Sequence, residues 1–339
     1  MRRIIKIAFT YIGAVIGAGF VSGQEILNFF VIYGSEGLIL ALFTGILFMI
    51  IGNVIILISK KLAINNYQQL FTYYGGKSIG RLADLNLTLF LLSSFIIMLV
   101  GSKEIFALFI ELNYNWGWVI TLLIVIITNF YGLEGVLDLN LILIPILLLI
   151  IIIFTFGIEV DSSCLDVKLN TKKLCSTFTY TGYNVVLAIT VLLPLVVNFN
   201  RLELFLGISS GGIILGVISF LLTATLLQFY NQVSEAELPM LRAVKIYKPH
   251  FYPLYGLTLW LAMLTTASCN LYALVDRLTR ILQWDYKKIL IIIVITIIPL
   301  LQFSFSTLVE VIYPKLGILS LGLFCILVGS FFVQEYLLE

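Results

Sequence analysis

Apolar stretches too long for the core of a soluble domain recur along the whole sequence; residues 139–156, for example, contain no charged side chain. A helix needs about 20 apolar residues to cross a hydrocarbon layer roughly 30 Å thick. Peptide groups in that layer must pair internally, so continuous runs of this length become helices. A membrane barrel would instead show short alternating segments. Composition points the same way. Of 339 residues, 61% are hydrophobic and 11% charged, against about 45–50% and about 25% in soluble domains. These proportions exclude a water-soluble enzyme, and no enzymatic activity is expected. The 20 basic and 18 acidic residues are spread between the apolar runs, without the dense basic patch that nucleic acid requires. The expected surroundings are a lipid bilayer, with no nucleic-acid partner.

Polar breaks divide the chain into ten expected helical spans, at residues 5–33, 37–59, 82–113, 117–131, 136–158, 176–198, 204–230, 250–282, 288–304 and 308–336. The basic start, residues 1–6, leads into apolar sequence with no small-residue cleavage site and reads as part of a retained first span. Basic residues collect on the cytoplasmic side of membrane proteins. With the N-terminus inside, Arg2, Arg3, Lys6, Lys60, Lys61, Lys77, Arg81, Arg201, Arg277, Arg280, Lys287 and Lys288 share that side, against Lys168, Lys172, Lys173, Arg242, Lys245 and Lys248 opposite. Both termini of this multi-pass protein are therefore expected in the cytoplasm. Cys164 and Cys175 flank one expected outer loop. Their spacing permits a disulfide, and free thiols are the equal alternative.

Self-comparison exposes a repeat. Phe9-Thr10-Tyr11-Ile12-Gly13 matches Phe178-Thr179-Tyr180-Thr181-Gly182 at an offset of 169. Ile105-Phe106-Ala107-Leu108 matches Leu271-Tyr272-Ala273-Leu274 at 166, and Pro145 matches Pro314 at 169. Five spans per copy is an odd number, so the second copy must enter the membrane from the opposite face. The expectation is an all-α five-plus-five inverted repeat: residues 1–160, an extracellular loop at 161–175, and residues 176–339, all within one polytopic domain.

The first span carries Gly13, Gly17, Gly19 and Gly23 within eleven residues. Two readings fit such a cluster: close helix packing through small residues, or an unwound segment. Its repeat partner, Thr181-Gly182-Tyr183-Asn184, places hydrogen-bonding side chains at the equivalent depth. Backbone freed from helical pairing must line a cavity or a ligand. Breaks in spans one and six would offer N–H groups to an anion and carbonyls to a cation, which suits a carboxylate-bearing solute with a coupling cation.

The string Gly17-Ala18-Gly19-Phe20-Val21-Ser22-Gly23-Gln24-Glu25-Ile26 resembles the first-helix motif of the YkvI-like amino acid permease family, a bacterial branch of the amino acid, polyamine and organocation superfamily with the LeuT-type fold. The resemblance extends over most of the chain as ten spans of similar size, with Tyr183-Asn184 in span six. It implies a place in the bacterial inner membrane, and that Gly17, Ala18, Gly19, Phe20, Ser22, Gly23, Thr181, Tyr183 and Asn184 surround the solute. In sodium-coupled members of the superfamily, two span-one carbonyls join a small residue and two hydroxyl residues on span eight. The corresponding residues here are Gly13, Ile16, Ala262, Thr265 and Thr266. Five oxygens suit a hard cation. The alternative is that both threonines bond back to their own helix. Span five carries no lysine that could stand in for sodium.

Ionisable groups inside spans usually mark a pathway or an ion pair. Glu25 pairing with Lys103 or Lys315 would form an outer gate; the alternative is that these groups, like Glu310, snorkel to the interface. Ser93, Ser94, Gly101 and Ser102 could border the cavity or pack as small residues. His250 has no metal-ligand spacing around it, and no phosphate loop is present to use ATP. No cofactor is expected beyond sodium as coupling ion. The leading expectation is secondary transport of a small amino acid or related zwitterion by sodium symport. A receptor that binds such a solute without moving it is the alternative. A channel would want a continuous polar lining, which these oily helices lack.

Overall fold

The structure is a computed structural model. It describes residues 1–109, 116–158, 170–236, 238–302 and 319, 320, 322, 323, 325, 326 and 329. Cys164, Lys168, Glu310, Pro314, Lys315 and most of expected span ten lie outside the described residues, and with them the Cys164–Cys175 pairing and the Lys315 side of the gate.

Every regular element among the described residues is helical. Span one is built from three pieces, α1 (Arg2–Val15), α2 (Ala18–Ser22) and α3 (Gln24–Phe29). There follow α4 (Glu36–Lys61), α5 (Tyr67–Phe109), α6 (Trp116–Asn129), α7 (Gly132–Thr155), α8 (Thr171–Leu192), α9 (Leu195–Asn198), α10 (Arg201–Gln228), α11 (Tyr230–Val233), α12 (Pro239–Tyr247), α13 (Tyr252–Leu282) and α14 (Tyr286–Ile297). Six of the described helices are long and apolar enough to cross a membrane on their own.

Their sequences explain their places. The span ending in α13 has a mean hydropathy of only 1.4, yet 94% of its most apolar stretch is buried; α7 reaches 3.0 with 44% buried. A helix facing lipid must be apolar all round, whereas a central one can carry polar groups if neighbours satisfy them. Around α13, Asn270 donates to Ser94 on α5 at 2.8 Å, Asn129 on α6 donates to Ser268 Oγ at 3.2 Å, and Trp260 Nε1 donates to Thr121 at 2.8 Å.

Helices α4 and α10 cross with their backbones touching. A Cβ on Gly45 would lie 2.6 Å from Gly216 Cα, and one on Gly216 would lie 2.6 Å from Gly45 Cα. The two glycines are 171 residues apart, close to the 169-residue offset of the sequence matches. Small residues permit this approach.

Both ends of the bundle are tied by charge. At one end Arg3 pairs with Glu203 at 3.1 Å and donates to Asn198 O, while Lys60 donates to Val196 O. There too, Lys6 bridges Glu134 and Asp138 on α7 at 3.1 and 2.6 Å, and Arg277 holds Asp84 through two bonds of 2.6 and 2.7 Å. At the opposite end Lys173 pairs with Glu36. Lys248 there donates to the carbonyls of Phe154 and Phe156, which close the C-terminus of α7, at 3.1 and 2.9 Å.

Three expectations need correction. Span six is not broken at Thr181–Asn184: α8 runs unbroken through them to Leu192, and Leu193 and Pro194, which join it to α9, keep right-handed helical backbone angles. The physical reason is that the polar side chains serve the helix they stand on. Thr181 donates to Thr177 O at 2.9 Å and Asn184 to Tyr180 O at 3.0 Å. Span three is helical from just after Gly76, not from 82, and a separate helical stretch from Tyr67 precedes it across the kink at Gly76, where φ is 77°. Finally, the segment at 230–250 is no plain loop. It contains α12, whose Met240, Leu241, Ala243 and Val244 are buried against the bundle.

Candidate functional site

Helix α1 ends at Val15, Ile16 and Gly17 leave helical geometry, and α2 begins at Ala18. A helix end leaves carbonyls without intrahelical partners, and here α13 supplies the replacement. Thr266 Oγ1 stands 3.2 Å from Gly13 O and 3.0 Å from Ile16 O and donates to them. One turn of α13 away from the break, Thr265 Oγ1 donates to Ala262 O at 3.0 Å. All of this is buried: Ala262 and Thr265 are fully enclosed and Thr266 is 6% exposed. The structure thus brings Gly13, Ile16 and Thr266 into one cluster of oxygens, with Ala262 and Thr265 bonded to each other on the adjoining turn.

Gly13 must be glycine here for a second reason. Asn140 of α7 points its Oδ1 at the position a Gly13 Cβ would occupy. Its amide nitrogen donates to Val136 O at 2.9 Å and meets Cys269 Sγ at 3.6 Å, while Oδ1 is buried without a hydrogen-bond partner. Reading the sequence for motifs missed Asn140. The signal that could have found it is a lone amide within the most apolar of the described spans.

The second half of the site lies beyond the break. Gly23, with φ of 85°, separates α2 from α3; this left-handed conformation is open to glycine and strained for other residues. Met240 of α12 caps it, since a Cβ on Gly23 would lie 2.7 Å from Met240 Cγ. Ser22 Oγ donates to Gly19 O at 3.2 Å, and Tyr255 OH of α13 donates to Val21 O at 2.7 Å, which fastens α2. Past Gly23, Glu25 turns back so that its carboxylate lies against Gly19, and Tyr183 OH of α8 donates to Glu25 Oε2 at 2.9 Å.

The expected solute-binding residues therefore separate into groups. Gly19 and Tyr183 meet around Glu25, with Asn184 alongside, while Gly23 faces Met240 and Leu226. Gly17 stands nearer Thr266, its missing Cβ 3.7 Å from that hydroxyl. Ala18 and Phe20 are enclosed in the core, Ser22 returns to its own backbone, and Thr181 to its own helix. Of the expected gate, Glu25 reaches Tyr183 and makes no ion pair among the described residues. Lys103 packs its backbone against Gly117 at the start of α6. Among the described residues Glu25 thus makes a contact between α3 and α8, while its expected pairing with Lys315 falls outside them. Ser93 and Ser102 bond to Leu89 O and Met98 O on their own helix, while Ser94 serves Asn270. His250 is exposed in a short turn before α13.

No protein-family profile matches the chain. Over nearly its whole length it is similar to the uncharacterized membrane protein YkvI of Bacillus subtilis (strain 168), 28% identical over 329 residues that cover 94% of this chain and 93% of that one. It is likewise similar to the uncharacterized protein YyaD of the same organism, 29% identical over 327 residues covering 95% of each. Among solved structures it resembles Mhp1, a nucleobase-cation-symport-1 family transporter in a closed conformation with bromovinylhydantoin bound. That likeness has a TM-score of 0.57 and 17% identity, and covers 94% of this chain and 77% of that one. A manganese transporter of Eremococcus coleocola follows with a TM-score of 0.55, 13% identity, and coverage of 96% and 77%. The likeness to YkvI carried by the first-helix motif therefore holds along the chain, and the fold is of the LeuT type.

Proposed function

We propose that this LeuT-type membrane protein is a secondary transporter that moves a small amino acid or related solute by alternating access, coupled to sodium. The observation that carries the reading is the junction across the helix break. Two carbonyls released by the end of α1 are held by one hydroxyl of α13. Packing alone would favour a continuous helix, so a break enclosed in the bundle needs a ligand or a partner for its polar groups. In this reading Gly13, Ile16 and Ala262 contribute carbonyl oxygens and Thr265 and Thr266 hydroxyl oxygens to a sodium ion, with Asn140 Oδ1 as a neighbouring acceptor. The solute lies between the α2–α3 segment and α8. Filling both sites draws the group of α1, α4, α8 and α10 toward the group of α5, α6 and α13, as a ligand that prefers one arrangement shifts the population toward it.

The five-plus-five inverted arrangement, with residues 1–160 and 176–339 as its copies and 161–175 between them, is supported by the Gly45–Gly216 crossing. The clustering of Arg3, Lys6, Lys60 and Arg277 at one end supports placing both termini in the cytoplasm of a bacterial inner membrane.

Proteoliposomes loaded against a sodium gradient test the proposal. Uptake of a radiolabelled amino acid should depend on sodium. Thr266→Val should reduce it at least tenfold, more than Thr265→Val, because only Thr266 spans the break. Uptake indifferent to sodium removes the coupling; binding without uptake replaces the transporter with a receptor.

A further inference from the structure

Resting on the reading of the α3–α8 face as the cargo site, we infer that the cargo is a cation whose ammonium group is received by Glu25. The carboxylate lies at the meeting of three elements. It is carried by α3, pressed against Gly19 of α2, and bonded at 2.9 Å by Tyr183 of α8. Its position is built in, since any side chain at residue 19 would overlap it. Among the described residues no Lys or Arg pairs with it. A carboxylate within a span, with no counter-cation among the described residues, is costly, and ionisable groups in such places commonly handle a charged passenger.

The surroundings fit an ammonium. Phe29 stands one helical turn after Glu25 on α3, on the same face. Its ring centroid is 5.9 Å from that of Tyr183 and 5.3 Å from that of Tyr180. A carboxylate beside aromatic rings offers an organic cation both a charge-assisted hydrogen bond and the negative faces of the rings.

The same geometry argues against a carboxylate-led mode of binding. An acid already covers Gly19, and a second one brought there would be repelled. The sequence suggests that unwound backbone grips the acid of the solute; in the folded chain that acid belongs to the protein. Cargo must supply the opposite charge.

Thermal unfolding of the purified full-length protein in sodium buffer tests this with four probes: lysine, n-butylammonium, leucine and glutamate. Lysine and n-butylammonium should raise the melting temperature by about 3 °C or more through mass action, leucine less, and glutamate not at all. Glu25→Gln should abolish the response to both cations. The inference is overturned if leucine or glutamate stabilises as much as lysine, if neither cation stabilises, or if Glu25→Gln keeps the response. Should Glu25→Gln fail to fold, Glu25→Asp decides. It must keep the order of cation over zwitterion over anion with a smaller shift, and an equal response to leucine and lysine overturns the assignment. Uptake of labelled lysine into proteoliposomes is read separately. Cation-selective stabilisation without uptake overturns the transport reading and upholds the charge assignment; sodium-driven leucine uptake with no preference for cations does the reverse.

Discussion

Gly13 and Gly17 stand four residues apart in one glycine-rich segment, yet the structure asks different things of them. A methyl group on Gly13 would overlap Asn140 Oδ1, whereas one on Gly17 would meet nothing nearer than Met98 Cε at 3.6 Å. Gly13→Ala is therefore an overpacking substitution, expected to cost about 1–3 kcal/mol. Gly17→Ala should stay within about 0.5 kcal/mol. Apparent melting temperatures of the two purified variants check this; equal losses would mean that Asn140 does not press on Gly13. From sequence the glycines look alike, because what separates them is a side chain 127 residues away on another helix. Thr265 and Thr266 were similarly indistinguishable as a pair of hydroxyls. Their division of labour follows from which face of α13 meets the end of α1.

The helices differ in how legibly they were written. The interruption at Ile16–Gly17 falls inside the segment that the glycine count singles out. Span six carries one glycine among Thr181, Tyr183 and Asn184, and the Thr181 hydroxyl and Asn184 amide return to carbonyls of the preceding turn. Polar residues at a given depth therefore do not by themselves predict unwinding; missing Cβ atoms at several nearby positions do. Helix α12 escaped notice because nine residues with one buried face leave little trace beside spans three times as long. Hydrogen exchange distinguishes the two spans. Amides of Ala18 and Gly19, at the start of a five-residue helix, lack intrahelical acceptors and should exchange well before those of Val185 and Val186, which lie within α8. Equal protection at the two places would contradict the asymmetry.

At the scale of the molecule, one end holds a cavity of about 270 Å³ lined by Asn66, Tyr67, Thr190, Pro194, Asp276 and Arg280. It opens beside the Arg3 and Lys60 contacts with the chain around α9, which places it at the end that carries the N-terminus. With the four native cysteines replaced by alanine, Gln69→Cys, at an exposed position in the same lining, should react with a membrane-impermeant thiol reagent added on the N-terminal side, and not from the other side. Labelling from the opposite face would invert this assignment. Deeper in, the Thr266 hydroxyl joins α1 to α13 through a single proton shared by two acceptors. A hydroxyl is a rotor with lone pairs behind its proton. Turning it takes picoseconds to nanoseconds, against microseconds to milliseconds for sliding packed helices. Under the proposed sodium coupling, admitting the ion at this joint would ask for a torsion about one C–O bond, well ahead of any slower change of shape.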